Sequence, residues 1–187
     1  MKKALPAFVL FAVVLSLSAL AAGQAAAPNL DDQLFDAVEK GDATAAGQLL
    51  DQGANANAQG STGETPLIVA TAMGHVDLVK LLLDKGAAID VKDGDGFTPL
   101  MRSIVSGSPD LVKLLLDHGA NVEAKDSNGF TSLMAASGGG QLEMVKALLD
   151  HGANVNDKSN DGTTALGLAI SQKHPDIEVL LRAKGAQ

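Results

Sequence analysis

Four histidines are the first residues of this 187-residue chain to consider for chemistry. They are His75, His118, His151 and His174. An imidazole can bind a metal ion or transfer a proton near neutral pH. The chain contains no cysteine, so the sequence excludes a disulfide framework, a cysteine-based zinc cluster and a thiol nucleophile.

The aspartate-rich stretch DVKDGDG, from Asp90 to Gly96, is a second candidate because it resembles a calcium-binding loop. It lacks the regular alternation of ligands and the terminal bidentate glutamate of such a loop. Aspartates in tight loops commonly accept backbone N–H groups, so we expect turns here. The chain has no Gly-x-Ser-x-Gly motif, and the glycines at 138–140 lack the Lys-Ser/Thr of a phosphate-binding loop. We therefore predict no catalytic residue, no metal site and no cofactor.

The elements that must position these residues recur every 33 residues. Threonines keep this step from Thr65 to Thr164, and each is followed two residues later by leucine. Gly-Ala pairs keep the same step from Gly53 to Gly185. Such a period is the signature of a repeat protein, in which one unit cannot bury its apolar face alone and stacked neighbours complete the core.

The sequence of each unit predicts two short helices. Thr65 is a suitable N-cap, and Pro66 suits the first helical position because its missing N–H is not needed there. The first helix should stop at Gly74, and the second should run from about Val76 to Gly86. Pairs of an acid and a lysine three residues apart should stabilise the second helices slightly. They are Asp77 with Lys80, Asp110 with Lys113, and Glu143 with Lys146.

The repeat resembles the ankyrin repeat over about residues 29–187. The motifs that carry the resemblance are Gly63-x-Thr65-Pro66-Leu67, Gly74-His75, Val79, Leu82-Leu83 and Gly86-Ala87, with their counterparts in each unit. The resemblance implies an all-α solenoid of stacked helix-turn-helix units, joined by β-turn or hairpin loops. It also implies partner binding through a concave face made by the loop tips and the first helices. We call the corresponding surface of this chain the loop-tip face.

The chain departs from the ankyrin pattern after each Thr-Pro-Leu position. Ankyrin repeats usually have a histidine there, but this sequence has Ile68, Met101, Met134 and Gly167. The hydrogen bonds that the histidine makes between repeats are therefore absent. Either apolar packing compensates for them, or these units are less rigid.

We predict five units, at about residues 31–60, 61–93, 94–126, 127–159 and 160–187. In the last unit Glu178 and Arg182 replace residues that are apolar in earlier units, and they can form an ion pair on a water-facing end. Equivalent histidines on neighbouring units should lie about 8–10 Å apart. That separation is too large for shared metal ligation, where each ligand lies about 2 Å from the ion.

Residues 1–21 predict a signal peptide, because two lysines precede an uncharged apolar run that ends in small residues. Cleavage is expected between residues 21 and 27, with a short linker over 22–30. An uncleaved membrane anchor is the alternative, but the run is short and contains Pro6 and two serines. The sequence therefore predicts a periplasmic or secreted protein that is not stably inserted in a membrane after cleavage.

Net charge limits the class of partner. Cleavage after residue 21 leaves 12 basic and 22 acidic residues, because it removes two lysines and no acid, and the net charge becomes −10. This charge argues against nucleic acid and anionic lipid as partners.

The loop-tip face should contain two of the three phenylalanines that follow the leader, Phe97 and Phe130. Large apolar side chains in such a row can anchor an interface. The alternative is that each ring packs against the base of its loop and stiffens the array. The predicted partner-binding residues are Glu64, Met73, Asp95, Phe97, Val105, Asn128, Phe130, Asp161 and Thr163.

The resemblance and these residues together predict a monomeric, non-enzymatic module that binds a partner protein. A related interpretation is an accessory protein that protects or scaffolds a periplasmic enzyme. An interpretation of another class is a ligand-binding or calcium-binding protein, or a small hydrolase, that uses the acidic loops.

Overall fold

The computed structural model describes residues 29–187, so the predicted signal peptide and its cleavage region lie outside the described residues. The described part is a series of helix pairs, and the predicted all-helical repeat solenoid is confirmed. The first helices of the pairs are α1 (Leu30–Glu39), α3 (Pro66–Ala72), α5 (Pro99–Val105), α7 (Ser132–Gly138) and α9 (Ala165–Ser171). The second helices are α2 (Ala43–Asp51), α4 (Val76–Asp84), α6 (Pro109–Asp117), α8 (Leu142–Asp150) and α10 (Pro175–Ala183). Within residues 29–187, no helix combines the length and apolar character needed to cross a membrane.

Threonine caps fix the starts of the later first helices, as predicted. The hydroxyl oxygen of Thr65 accepts the N–H of Ile68 at 3.4 Å, and that of Thr98 accepts the N–H of Met101 at 3.3 Å. Thr131 and Thr164 make the same bond in α7 and α9. Each cap satisfies an N–H that has no partner within its helix, and loss of one costs about 1 kcal/mol.

Leucines at the same position of each unit form the centre of a continuous core. They are all buried: Leu34, Leu67, Leu100, Leu133 and Leu166. The residues that follow three of these leucines, which replace the expected histidine, are also buried. They are Ile68, Met101 and Met134. Apolar packing therefore occupies the positions where ankyrin repeats usually carry a histidine.

Some hydrogen bonds between neighbouring helix pairs come instead from the residue that precedes the second helix. Gln141, at the start of α8, donates from Nε2 to the carbonyl oxygen of Ile104 at 2.9 Å. At the equivalent position one unit later, His174 Nε2 lies 3.1 Å from the carbonyl oxygen of Gly138. Both side chains reach the end of the first helix in the preceding helix pair, and so they fix the stacking of adjacent pairs.

Charged side chains on the second helices pair less often than predicted. Lys146 Nζ lies 2.8 Å from Glu143 Oε1, but the other two predicted acid–lysine pairs are not formed. These pairs lie on exposed surface, where an ion pair gains little over hydration. The ion pair predicted for the last unit is present, with Arg182 Nε 3.0 Å from Glu178 Oε1.

Candidate functional site

The loop tips are tight turns, and in two of these turns an aspartate side chain accepts backbone N–H groups. The carboxylate oxygen Oδ1 of Asp93 accepts the N–H groups of Asp95 at 3.1 Å and Phe97 at 2.9 Å. Asp126 Oδ1 accepts those of Asn128 and Phe130, both at 2.8 Å. These aspartates therefore make the turns expected in the acidic loops.

Backbone hydrogen bonds join each loop tip to the next. Gly94 donates its N–H to the carbonyl oxygen of Thr62 at 2.9 Å, and Asn160 donates to that of Asn128 at 2.9 Å. Between these two, the hydroxyl of Ser127 donates to the carbonyl oxygen of Asp95 at 2.8 Å. A Cβ at Gly94 would lie 2.8 Å from the Thr62 oxygen, so only glycine permits this approach. The loop tips are thus held in a fixed row.

Large apolar side chains are exposed on the loop-tip face. Met73 follows α3 and is 58% exposed, and Val105 ends α5 and is 65% exposed. Two other large apolar side chains are exposed in residues 29–187, Ile170 and Val179, but both belong to the last helix pair. The position of Ile170 is buried in the preceding units. Ile170 itself is exposed because no further described unit covers it.

The two phenylalanines are half-buried. The guanidinium carbon of Arg102 lies 4.5 Å from the centroid of the Phe97 ring, which is a cation–π arrangement. Phe130 packs against the core cluster. Each ring therefore supports its own loop, and only part of each is open to a partner.

Arg102 connects the loop tip to α5. Its Nε and Nη2 atoms both donate to Asp93 Oδ2, at 2.9 and 2.5 Å. Nη2 also lies 3.8 Å from Asp95 Oδ2. Asp93 is almost entirely buried, so this arginine neutralises a carboxylate that has little contact with water.

A groove of about 550 Å³ lies beside this arginine on the loop-tip face. Its lining includes four carboxylates and one guanidinium, a formal charge of −3, together with apolar side chains. The lining residues are Glu39, Thr62, Glu64, Ile68, Val69, Ala72, Met73, Asp93, Gly94, Asp95 and Arg102.

Glu64 is held in its ionised form at the edge of this groove. Its Oε2 atom accepts hydrogen bonds from the hydroxyl and from the N–H of Thr62, the latter at 2.9 Å. The hydroxyl bond is the main reason that the pKa of Glu64 is lowered from its ordinary value. Glu64 therefore carries a full negative charge at neutral pH.

Comparison with known protein families supports the resemblance drawn from the motifs. The family described as "Ankyrin repeats (3 copies)" matches residues 34–126 and again residues 121–187. The chain belongs to the ankyrin-repeat family. A comparison with curated proteins gives no match. Ankyrin repeats are generally protein–protein interaction modules and are typically not enzymes, so the family suggests a protein partner.

Three of the predicted partner-binding residues meet around the groove of this ankyrin solenoid: Glu64, Met73 and Asp95. Phe97 lies beneath Arg102 next to the groove, and Val105 is exposed at the end of the same helix as Arg102. The remaining four do not line the groove. They are Asn128, Phe130, Asp161 and Thr163, on the two later loop tips.

Asp161 belongs to a loop tip of different construction. Ser159 replaces the turn-closing aspartate there, and its hydroxyl donates to Asp161 Oδ1 at 2.5 Å and accepts the N–H of Thr163 at 3.0 Å. The hydroxyl bond from Ser159, followed by hydrogen bonds from Thr163, lowers the pKa of Asp161 to about 2. Asp161 is exposed, so its charge faces solvent.

Sequence reasoning missed Glu39, Asp93 and Arg102 as parts of the site. A signal for Arg102 was present, because it is the one basic residue within the first helices of the described chain. No comparable signal marked Glu39, which reaches the groove from the end of α1. Within residues 29–187, histidines and acids form no group of three that could hold a metal ion.

Proposed function

We propose that the chain is a binding module that captures a partner protein through the loop-tip face and carries out no catalysis itself. The observation that supports this most directly is the exposure of Met73, which lines the acidic groove, and of Val105, at the end of the helix that carries Arg102. Large apolar side chains left in water on one face, with charged groups at their rim, are typical of interaction sites.

The contact surface in this proposal extends beyond the groove along the row of loop tips. Met73 and Val105 provide its apolar centre, and polar groups surround them. The polar and half-buried contributors are Glu64, Asp95, Phe97, Asn128, Phe130, Asp161 and Thr163. A partner that covers this surface would bury about 800 Å² of it, the usual scale of a specific interface.

The proposed location is the periplasm or the outside of the cell. The basic residues and apolar run at the start of the sequence support this location. The proposal includes an accessory role, in which the partner is an enzyme of the same compartment that the chain protects or scaffolds.

Surface substitutions at the apolar centre test the proposal. Met73→Ser with Val105→Ser removes both exposed side chains and leaves the buried core intact. Val179→Ser is the matched control, because Val179 is 69% exposed but lies on α10. Proteins crosslinked by the unmodified chain in an extract of its own compartment should be lost with the double variant and kept with the control. Equal capture by all three proteins would refute binding through the loop-tip face.

A further inference from the structure

The groove on the loop-tip face carries more negative charge than its own cation neutralises. Arg102 is committed to the buried Asp93, with Nε and Nη2 both on Oδ2. Asp95 lies farther from the arginine, at 3.8 Å, and its side chain is 79% exposed. In the part of the chain that the structure describes, Glu39 and Glu64 have no cationic partner. Three carboxylates are therefore available to a ligand.

The floor between these carboxylates is apolar. Val69 and Ala72 line it, with Ile68 buried beneath and Met73 exposed at one side. A lysine or arginine side chain suits this combination, because its aliphatic stem can lie on apolar surface while its charged head stays at the rim. The groove volume is in the range of small ligand sites, which admits only two or three side chains of a protein partner.

We propose that the groove binds an extended basic and apolar segment of the partner protein. In this arrangement the positively charged head group lies among Glu39, Glu64 and Asp95, and a neighbouring aliphatic side chain lies on Met73. The inference rests on the proposed function and specifies the chemistry of its partner. The opposite charges of groove and segment favour this occupant over a second copy of the acidic chain, over nucleic acid and over an anionic membrane.

The direct test uses synthetic peptides and protein purified after expression of the full sequence. The probe is Gly-Ser-Leu-Lys-Leu-Lys-Leu-Ser-Gly, and two matched peptides carry Glu in place of Lys or Ser in place of Leu. Binding is followed from the shifts of assigned backbone amide resonances. The probe should move the amides of Glu64, Val69, Met73 and Asp95, while the Glu peptide should not bind and the Ser peptide should bind more weakly.

Two triple variants with the same change in net charge test the location. Glu39→Gln, Glu64→Gln and Asp95→Asn remove the three available carboxylates and leave Asp93 in place. Asp77→Asn, Asp84→Asn and Asp110→Asn remove three exposed carboxylates of the second helices, away from the groove. The first variant should bind the probe about tenfold more weakly, because it loses three ion pairs of modest strength. The second should bind within about twofold of the unmodified protein.

Several outcomes would overturn the inference. They are an absence of shifts in the groove, equal weakening by both triple variants, and binding of the Ser peptide as tight as that of the probe. The capture experiment with Met73→Ser and Val105→Ser separates the two proposals. If capture depends on those residues but not on the groove carboxylates, the groove chemistry is wrong and the proposed function stands. If capture depends on neither, the proposed function itself fails.

Discussion

Replacement of Asp93 by alanine should destabilise the protein more than the same change at Asp126, although the two residues close equivalent loops. Each carboxylate accepts two backbone N–H groups at its own loop tip. Asp93 alone of the two also holds an arginine, Arg102, through its second oxygen. The pair of variants therefore isolates the contribution of the buried ion pair.

The expected magnitudes follow from burial. Loss of two hydrogen bonds to a charged acceptor at a partly exposed tip should cost about 2 kcal/mol, which is the expectation for Asp126→Ala. Breaking a fully buried ion pair costs about 3–5 kcal/mol, and breaking an exposed one costs about 0–1 kcal/mol. The Asp93 side chain is 4% exposed and that of Arg102 is 28% exposed, so the pair lies between these limits. Asp93→Ala should therefore cost about 3–4 kcal/mol, or about 1–2 kcal/mol more than Asp126→Ala.

Urea unfolding followed by circular dichroism measures this difference. Fluorescence is unsuitable because the chain contains no tryptophan and no tyrosine. The midpoints should fall with an unchanged slope. In an Arg102→Met background, the cost of Asp93→Ala should drop to that of Asp126→Ala or below it, because the buried carboxylate then has no cationic partner. The reasoning is refuted if the two alanine variants cost the same in the unmodified protein, or if the extra cost persists without the arginine.

Two further predictions concern the turns. Lys173 has a left-handed backbone, with φ 61°, where the equivalent positions of the other helix pairs carry glycine. Lys173→Gly should therefore raise the free energy of unfolding, measured in urea, by about 0.5–1 kcal/mol. Gly74→Ala should lower it by about 1 kcal/mol, because Gly74 has φ 79° and open space around it, so only the backbone conformation opposes the alanine. A loss of stability with Lys173→Gly would contradict the strain argument. In a carboxyl NMR titration Asp161 should have a midpoint of about 2, and Ser159→Ala should raise it toward the ordinary value of about 3.9. Because the pKa is lowered on folding, this hydrogen bond stabilises the protein above about pH 3.9 and is lost as the pH falls through about 2; an unchanged midpoint in the variant would show that the serine is not the cause.

The fold could be predicted because its signals are local. A threonine followed by proline fixes the start of a helix through bonds within three residues, as Thr65 and Thr98 show. Glycine at a helix end likewise reports a left-handed backbone directly. The 33-residue step then requires only that each copy adopts the same local structure.

The groove could be predicted only in part, because its chemistry depends on which side chains meet in space. The placement of Met73 and Asp95 on the loop-tip face followed from the resemblance to ankyrin repeats, and in the structure both line the groove. The commitment of Arg102 to Asp93 did not follow, since it depends on a side chain that crosses from α5 to its own loop tip. That contact also decides how much of the Phe97 ring is open. The exposed acid–lysine pairs of the second helices were predicted poorly because water solvates each charged group almost as well as its partner does.

Comparison of the units with one another shows which positions of this solenoid are constrained by the core and which are free to vary. The position of Leu67 is leucine in all five helix pairs of the described chain, from Leu34 to Leu166, because each copy must fill the same space in the core. The exposed end of the first helix has no such constraint, and its residues differ from unit to unit. The pairs at this end are Ala72-Met73, Val105-Ser106, Gly138-Gly139 and Ser171-Gln172. Changes there leave the core and the loop-tip hydrogen bonds intact, so they should cost little stability. Because Met73, Val105 and the groove carboxylates all fall in the earlier units, the proposed function predicts that an anchoring segment of a partner docks there.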